Sequence, residues 1–150
     1  MARSADQSAG TRGHASGSEF LKHRILIVED NPANRELLQD WLEIEGYEVW
    51  SAADLESSYK ALAMVLPDVV LLDINLGGEN GLDLVAWMRR KGTFDNTPVI
   101  AVTAHALATE QEGILQAGCV ACLSKPIDFK DLRGQLWQWL HYRTASRPHS

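Results

Sequence analysis

The chain has 150 residues, 45% of them hydrophobic and 23% charged, with a formal net charge of −6. These are the proportions of one soluble globular domain large enough to bury a real core. An acidic balance without a basic stripe argues against nucleic acid as a direct partner, and no apolar run reaches the length of a membrane span or of a signal-peptide core, which makes the cytosol the expected compartment.

Residues 1–22 are rich in Ser, Ala and Gly, lack apolar periodicity and read as a disordered tail. Gly17-Ser18-Glu19-Phe20 is also what two adjacent common restriction sites encode, so part of this tail reads as a cloning scar. The expected domain runs over 23–142, with 143–150 as a short C-terminal tail.

The first strand signal is Ile25-Leu26-Ile27-Val28, which ends in the acids Glu29 and Asp30. Asn31-Pro32 supplies an N-cap and a first-turn proline for a helix with Leu37, Leu38, Trp41 and Leu42 on one stripe, stopped at Gly46. Tyr47–Ala52 is a second strand, and Asp54 caps a second helix whose expected inner face is Leu55, Tyr59, Leu62, Ala63 and Leu66. After Pro67, Val69-Val70-Leu71-Leu72 runs into Asp73, as a strand buried on both faces does. Gly77 to Gly81 reads as a flexible loop. A third helix turns Leu84, Val85 and Met88 inward and ends in Arg89, Arg90 and Lys91, where cations suit the helix dipole. A fourth strand spans 97–103, a weak fourth helix 106–117 and a fifth strand 120–124. Asp128 then caps a last helix with Leu132, Leu136, Trp139 and Leu140 on one face.

Strict strand–helix alternation predicts an α/β fold, a doubly wound five-stranded parallel sheet in the order 2-1-3-4-5. In that order the first and third strands are neighbours, so Glu29, Asp30 and Asp73 converge at the carboxyl edge, where open α/β sheets bind ligands. Three carboxylates at one mouth repel one another, and a divalent cation relieves the repulsion. An all-oxygen set with few protein ligands suits Mg²⁺, with Mn²⁺ as the alternative. Thr103 brings a hydroxyl and Lys125, followed by Pro126, an ammonium to the same edge. Around a carboxylate these are the parts that stabilise a phosphoryl group in transfer. The bland alternative is a polar strand cap at Asp73 and a simple helix cap at Glu29-Asp30.

Glu29-Asp30, Asp73, Gly81, Thr103-Ala104 and Lys125-Pro126, in this order and strand context, resemble the response-regulator receiver domain of two-component signalling. The similarity covers about 24–142 and is to the single-domain chemotaxis (CheY-like) and cell-division type. The resemblance implies that Asp73 is the phospho-acceptor and that Glu29, Asp30, Asp73 and the Asn75 backbone carbonyl hold the metal. It implies that Thr103, Ala104 and Lys125 engage the phosphoryl group and that the Lys125–Pro126 bond is cis. The implied donor is a histidine kinase or phosphotransfer protein, and the implied output is a downstream protein contacted through the fourth helix, fifth strand and last helix. No membrane partner is implied.

Three positions depart from the family pattern. Cys122 stands where many receivers carry a switch aromatic, Gly77 where a proline often follows the acceptor loop, and His105 at a position that affects phosphoryl lifetime. Cys119 and Cys122 have redox-motif spacing but lie at a helix end entering a strand, away from a thiol-activating helix N-terminus. Trp137 and Trp139 cannot share a helix face, which leaves Trp137 outward. Two functional alternatives stand beside the switch: a pseudo-receiver that only binds proteins, and a receiver excised from a hybrid kinase. An aspartyl-phosphate phosphatase needs a second acid two residues after the nucleophile, and that residue is Asn75.

Overall fold

The computed structural model describes residues 22–104 and 107–146. The tail expected over 1–22 and His105 therefore lie outside the described residues, save Lys22. Five parallel strands form the sheet: β1 (Arg24–Val28), β2 (Glu48–Ala52), β3 (Val69–Asp73), β6 (Val99–Thr103) and β7 (Ala121–Ser124). Between β3 and the next helix lies a two-stranded hairpin, β4 (Asn75–Leu76) with β5 (Glu79–Asn80). The sheet order is β2-β1-β3-β6-β7, which is the anticipated 2-1-3-4-5 once the hairpin is set aside. The helices are α1 (Pro32–Ile44), α2 (Leu55–Val65), α3 (Leu82–Lys91), α4 (Ala108–Gln116) and α5 (Phe129–Ser146). The last of these runs beyond residue 142, the expected edge of the domain.

Burial explains which strands are continuous apolar runs. β3 and β6 are buried at every position and β1 at all but its first, because helices cover both faces of the sheet centre. On one face Ile25, Ile27, Val69, Leu71 and Ile100 pack against Leu38 and Leu42 of α1 and Leu132, Leu136 and Leu140 of α5. On the other, Leu26, Val28, Val70, Leu72, Val99 and Ala101 meet Leu62, Leu84, Val85, Met88 and Ile114 from α2, α3 and α4.

The caps fall where side-chain chemistry puts them. The Asn31 side chain accepts from the Asn34 N–H at the start of α1, and Asp54 with Ser57 forms a capping box on α2. Hydrogen bonds from the Ser57 hydroxyl and N–H hold the Asp54 carboxyl below the usual carboxylate range. This cap therefore contributes at neutral pH and is lost as pH falls through that lowered value.

Several helix faces differ from the periodicity reading. Leu37 is 56% exposed and Leu66, which takes a left-handed C-cap conformation (φ 54°), is 55% exposed. Ala63 is also exposed, and Ser58 and Val65 take the inner positions of α2 instead. Arg89 does more than offset a helix dipole. Its guanidinium donates to the carbonyls of Phe94 (2.6 Å), Thr97 (3.3 Å) and Gly118 (2.9 Å), tying together the loops that lead into β6 and β7. Trp137 is 62% exposed and stacks on His141 at 4.9 Å.

The contrast between neighbours on α1 yields a test. Leu38→Ala should destabilise by about 3 kcal/mol in urea unfolding, and Leu37→Ala by no more than about 0.5 kcal/mol, because only Leu38 leaves a core cavity. Equal losses would contradict the assigned faces.

Candidate functional site

In-register parallel pairing delivers the site residues to one edge. Val28 pairs with Leu72, so Glu29 lies level with Asp73, while Asp73 pairs with Val102 and Thr103 with Ser124, the residue before Lys125. Backbone bonds from Glu29 N–H to Ala52 O, Ile74 N–H to Val102 O and Lys125 N–H to Thr103 O carry the register past the strand ends.

One carboxylate oxygen from each of Glu29, Asp30 and Asp73 lies within 4.8 Å of the others. Glu29 and Asp73 are buried and Asp30 is exposed, so the cluster opens to solvent on one side. Asp73 Oδ1 accepts from the Asn75 N–H at 3.1 Å and Oδ2 from Lys125 Nζ at 2.8 Å. Lys125 Nζ also lies 3.3 Å from Glu29 Oε1, and Glu29 Oε2 accepts from the Asn31 N–H at 3.1 Å. A 340 Å³ pocket holds this set, with Thr103, Ala104, Asn75 and Gly77 completing the wall. All the residues assigned to the site from sequence meet here except Pro126 and Cys122, and the Lys125–Pro126 bond is cis.

The electrostatics are unbalanced. Burial, with the charge of Asp73 adding to it, pushes the Glu29 carboxyl above its usual range, and the Asn31 N–H and Lys125 offset this only in part. Burial disfavours the Lys125 ammonium, yet the carboxylates of Asp73 and Glu29 outweigh it and hold the lysine above its ordinary value. One ammonium faces three acids, so the cluster retains excess negative charge of the kind a divalent cation relieves. The donors are all hard oxygens, which fits Mg²⁺-type coordination. Gly77 helps to leave the room: a Cβ there would lie 3.1 Å from Asp30 Oδ2. Gly81 is required by closeness of another kind, since a Cβ would meet the Asp73 carbonyl oxygen at 2.6 Å.

Cys122 is half-buried in β7, register partner of Ala101 and packed against the core under α2, α3 and α4. Burial pushes its thiol up, and pushes that of Cys119 up to about 12, against a partial offset from Arg89. Neither is an activated thiol.

Beside the pocket, and sharing Glu29, Asn34 and Lys125 with it, lies a 500 Å³ groove lined also by Leu37, Leu38, Pro126, Ile127 and Phe129. Sequence periodicity could not find it, because it forms between α1 and the turn after β7. It accounts for the exposure of Leu37.

Comparisons with known proteins agree with this geometry. A family model described as the response regulator receiver domain matches residues 25–136. The chain is 38% identical over 109 residues to the polar-differentiation response regulator DivK of Brucella anthropi, covering 69% of this chain and 84% of that protein. It is 40% identical over 106 residues to DivK of Brucella suis, with the same coverage. Among solved structures, a CheY-like receiver domain protein from Methanospirillum hungatei superposes with a TM-score of 0.74 at 28% identity, over 83% of this chain and 98% of that one. A putative response regulator from Chloroflexus aurantiacus does so at 0.75 and 28% identity, over 80% and 98%.

Two outcomes test the site's electrostatics. Because the Glu29 carboxyl is held above its usual range, its stabilising contribution is complete while protonated and lost as pH rises through the raised value. In EDTA, Glu29→Gln should therefore melt a few degrees above the wild type at pH 7 and lose that advantage at acid pH. A variant that melts lower at pH 7 contradicts this. Iodoacetamide at pH 8 should leave Cys119 unmodified in the folded protein and label it after unfolding, as read by peptide mass.

Proposed function

This chain belongs to the response regulator receiver domain family, and we propose that it acts as a phosphorylatable switch, with Asp73 accepting a phosphoryl group from a phosphohistidine on a histidine kinase or phosphotransfer protein. The observation that carries the reading is the state of Asp73. It is a buried carboxylate with one oxygen on a backbone N–H and the other on Lys125, facing an open pocket beside two further acids.

In the transfer, an Asp73 oxygen attacks phosphorus in line as the P–N bond to the donor imidazole breaks, and the imidazole leaves with that bond's electron pair. The Asn75 N–H and Lys125 hold the carboxylate in place, so little rotamer freedom is lost on attack. As the Asp73 carboxylate becomes the acyl group of an aspartyl phosphate, its own charge is lost and the negative charge lies on the phosphoryl oxygens, toward which Lys125 turns. The Thr103 hydroxyl and the Ala104 backbone, on the pocket wall, take further phosphoryl oxygens. Glu29, Asp30, Asp73 and the Asn75 carbonyl are the residues that would hold Mg²⁺ or Mn²⁺, which when bound neutralises the acids and the incoming phosphoryl charge.

The apolar groove is the natural seat for the donor, because a partner placing its imidazole over Asp73 must cover the surface that shares Glu29 and Lys125 with the pocket. The output is a protein contact: movement at Thr103 and Lys125 shifts β7 against α4 and α5 and biases the surface offered to a downstream protein. Cys122 is small, so no ring rotation accompanies that shift at this position. The proposed place of action is the cytoplasm, and no described helix is long and apolar enough to cross a membrane.

Acetyl phosphate with Mg²⁺ should add the mass of one phosphoryl group to the wild type, EDTA should prevent it, and Asp73→Asn should abolish it. An unchanged wild-type mass under conditions that phosphorylate a known receiver would overturn the reading.

A further inference from the structure

The β4–β5 hairpin has an anchor outside the pocket. Glu79 Oε1 accepts a hydrogen bond from the backbone N–H of Leu55, the first residue of α2, at 3.1 Å. Asp54 spends its own side chain on Ser57, so the Leu55 N–H needs an acceptor from elsewhere. A carboxylate at that helix end also suits the dipole. Glu79 pairs with Leu76 across the hairpin, and Asn75 pairs with Asn80. The turn is Gly77-Gly78, with both φ angles positive (55° and 100°), as a tight two-residue hairpin turn requires.

This small hairpin carries one wall of the pocket. Its first residue, Asn75, holds Asp73 Oδ1, and its turn residue Gly77 lies against Asp30. We propose that Glu79 is a positioning residue for the metal site: by fastening β5 to the start of α2, it sets the distance of Asn75 and Gly77 from Asp30 and Asp73. Glu79 lines no part of the pocket and reaches the metal only through the hairpin. The inference rests on the metal-binding reading above.

Calorimetric Mg²⁺ titration of the full chain separates the possibilities. Glu79→Ala should weaken Mg²⁺ binding roughly tenfold, the low end of what losing an outer-shell support does. Glu79→Gln keeps an oxygen acceptor for the Leu55 N–H and should bind Mg²⁺ like the wild type. Wild-type affinity in Glu79→Ala, even with a lowered melting temperature in EDTA, would show that buried Leu76 alone holds the hairpin and overturn the proposal. Equal weakening in both variants would trace the effect to charge and overturn it as well. A wild type that binds no Mg²⁺ would instead bring down the metal reading itself.

Discussion

Three carboxylates held within 4.8 Å of one another, against a single lysine ammonium, are the constraint from which the rest of this molecule can be understood. Two of the acids are buried, and burial of like charges works against folding. Such a cluster persists only on a scaffold with stability in reserve. The fully buried central strands, sandwiched between α1 and α5 on one face and α2, α3 and α4 on the other, supply that reserve. Lys125 restrains the repulsion without removing it, and the remaining excess charge is of the kind a divalent cation relieves; on the proposed reading it also prepares the pocket for phosphoryl transfer. The same imbalance that costs stability prepares the site.

The architecture places these groups with little local machinery. Parallel register alone brings Glu29 level with Asp73, and the bonds that continue past the strand ends carry Thr103 and Lys125 to the same edge. What the strands cannot do is close the side of the pocket between Asp30 and Asp73. The hairpin does that, through two glycines that tolerate positive φ and a glutamate fixed to a neighbouring helix. Arg89 plays a comparable part farther off, holding the loops before β6 and β7 by their carbonyls.

Much of this was legible from residues alone, for identifiable reasons. An unbroken apolar run such as Val69–Leu72 that ends in a carboxylate has one comfortable place in an alternating α/β chain, so the strand order and the meeting of Glu29, Asp30, Asp73, Thr103 and Lys125 follow from pattern and topology. The hairpin did not, because its strands are two residues each and Gly77-Gly78 reads as a loop until a partner strand is seen. A periodicity count groups Leu37 with Leu38 because it does not separate adjacent positions at the edge of a stripe. The groove that Leu37 lines, and the reach of Arg89 and Glu79, depend on contacts between segments far apart in sequence, which no local pattern encodes.

Thermal unfolding of the wild type in Mg²⁺ tests the central constraint most directly. If the acids await a cation, the melting temperature should rise with Mg²⁺ and level off as a single site fills, while NaCl of equal ionic strength gives no such saturating rise. Matching curves in Mg²⁺ and in NaCl would mean that Lys125 already satisfies the cluster, contradicting the account.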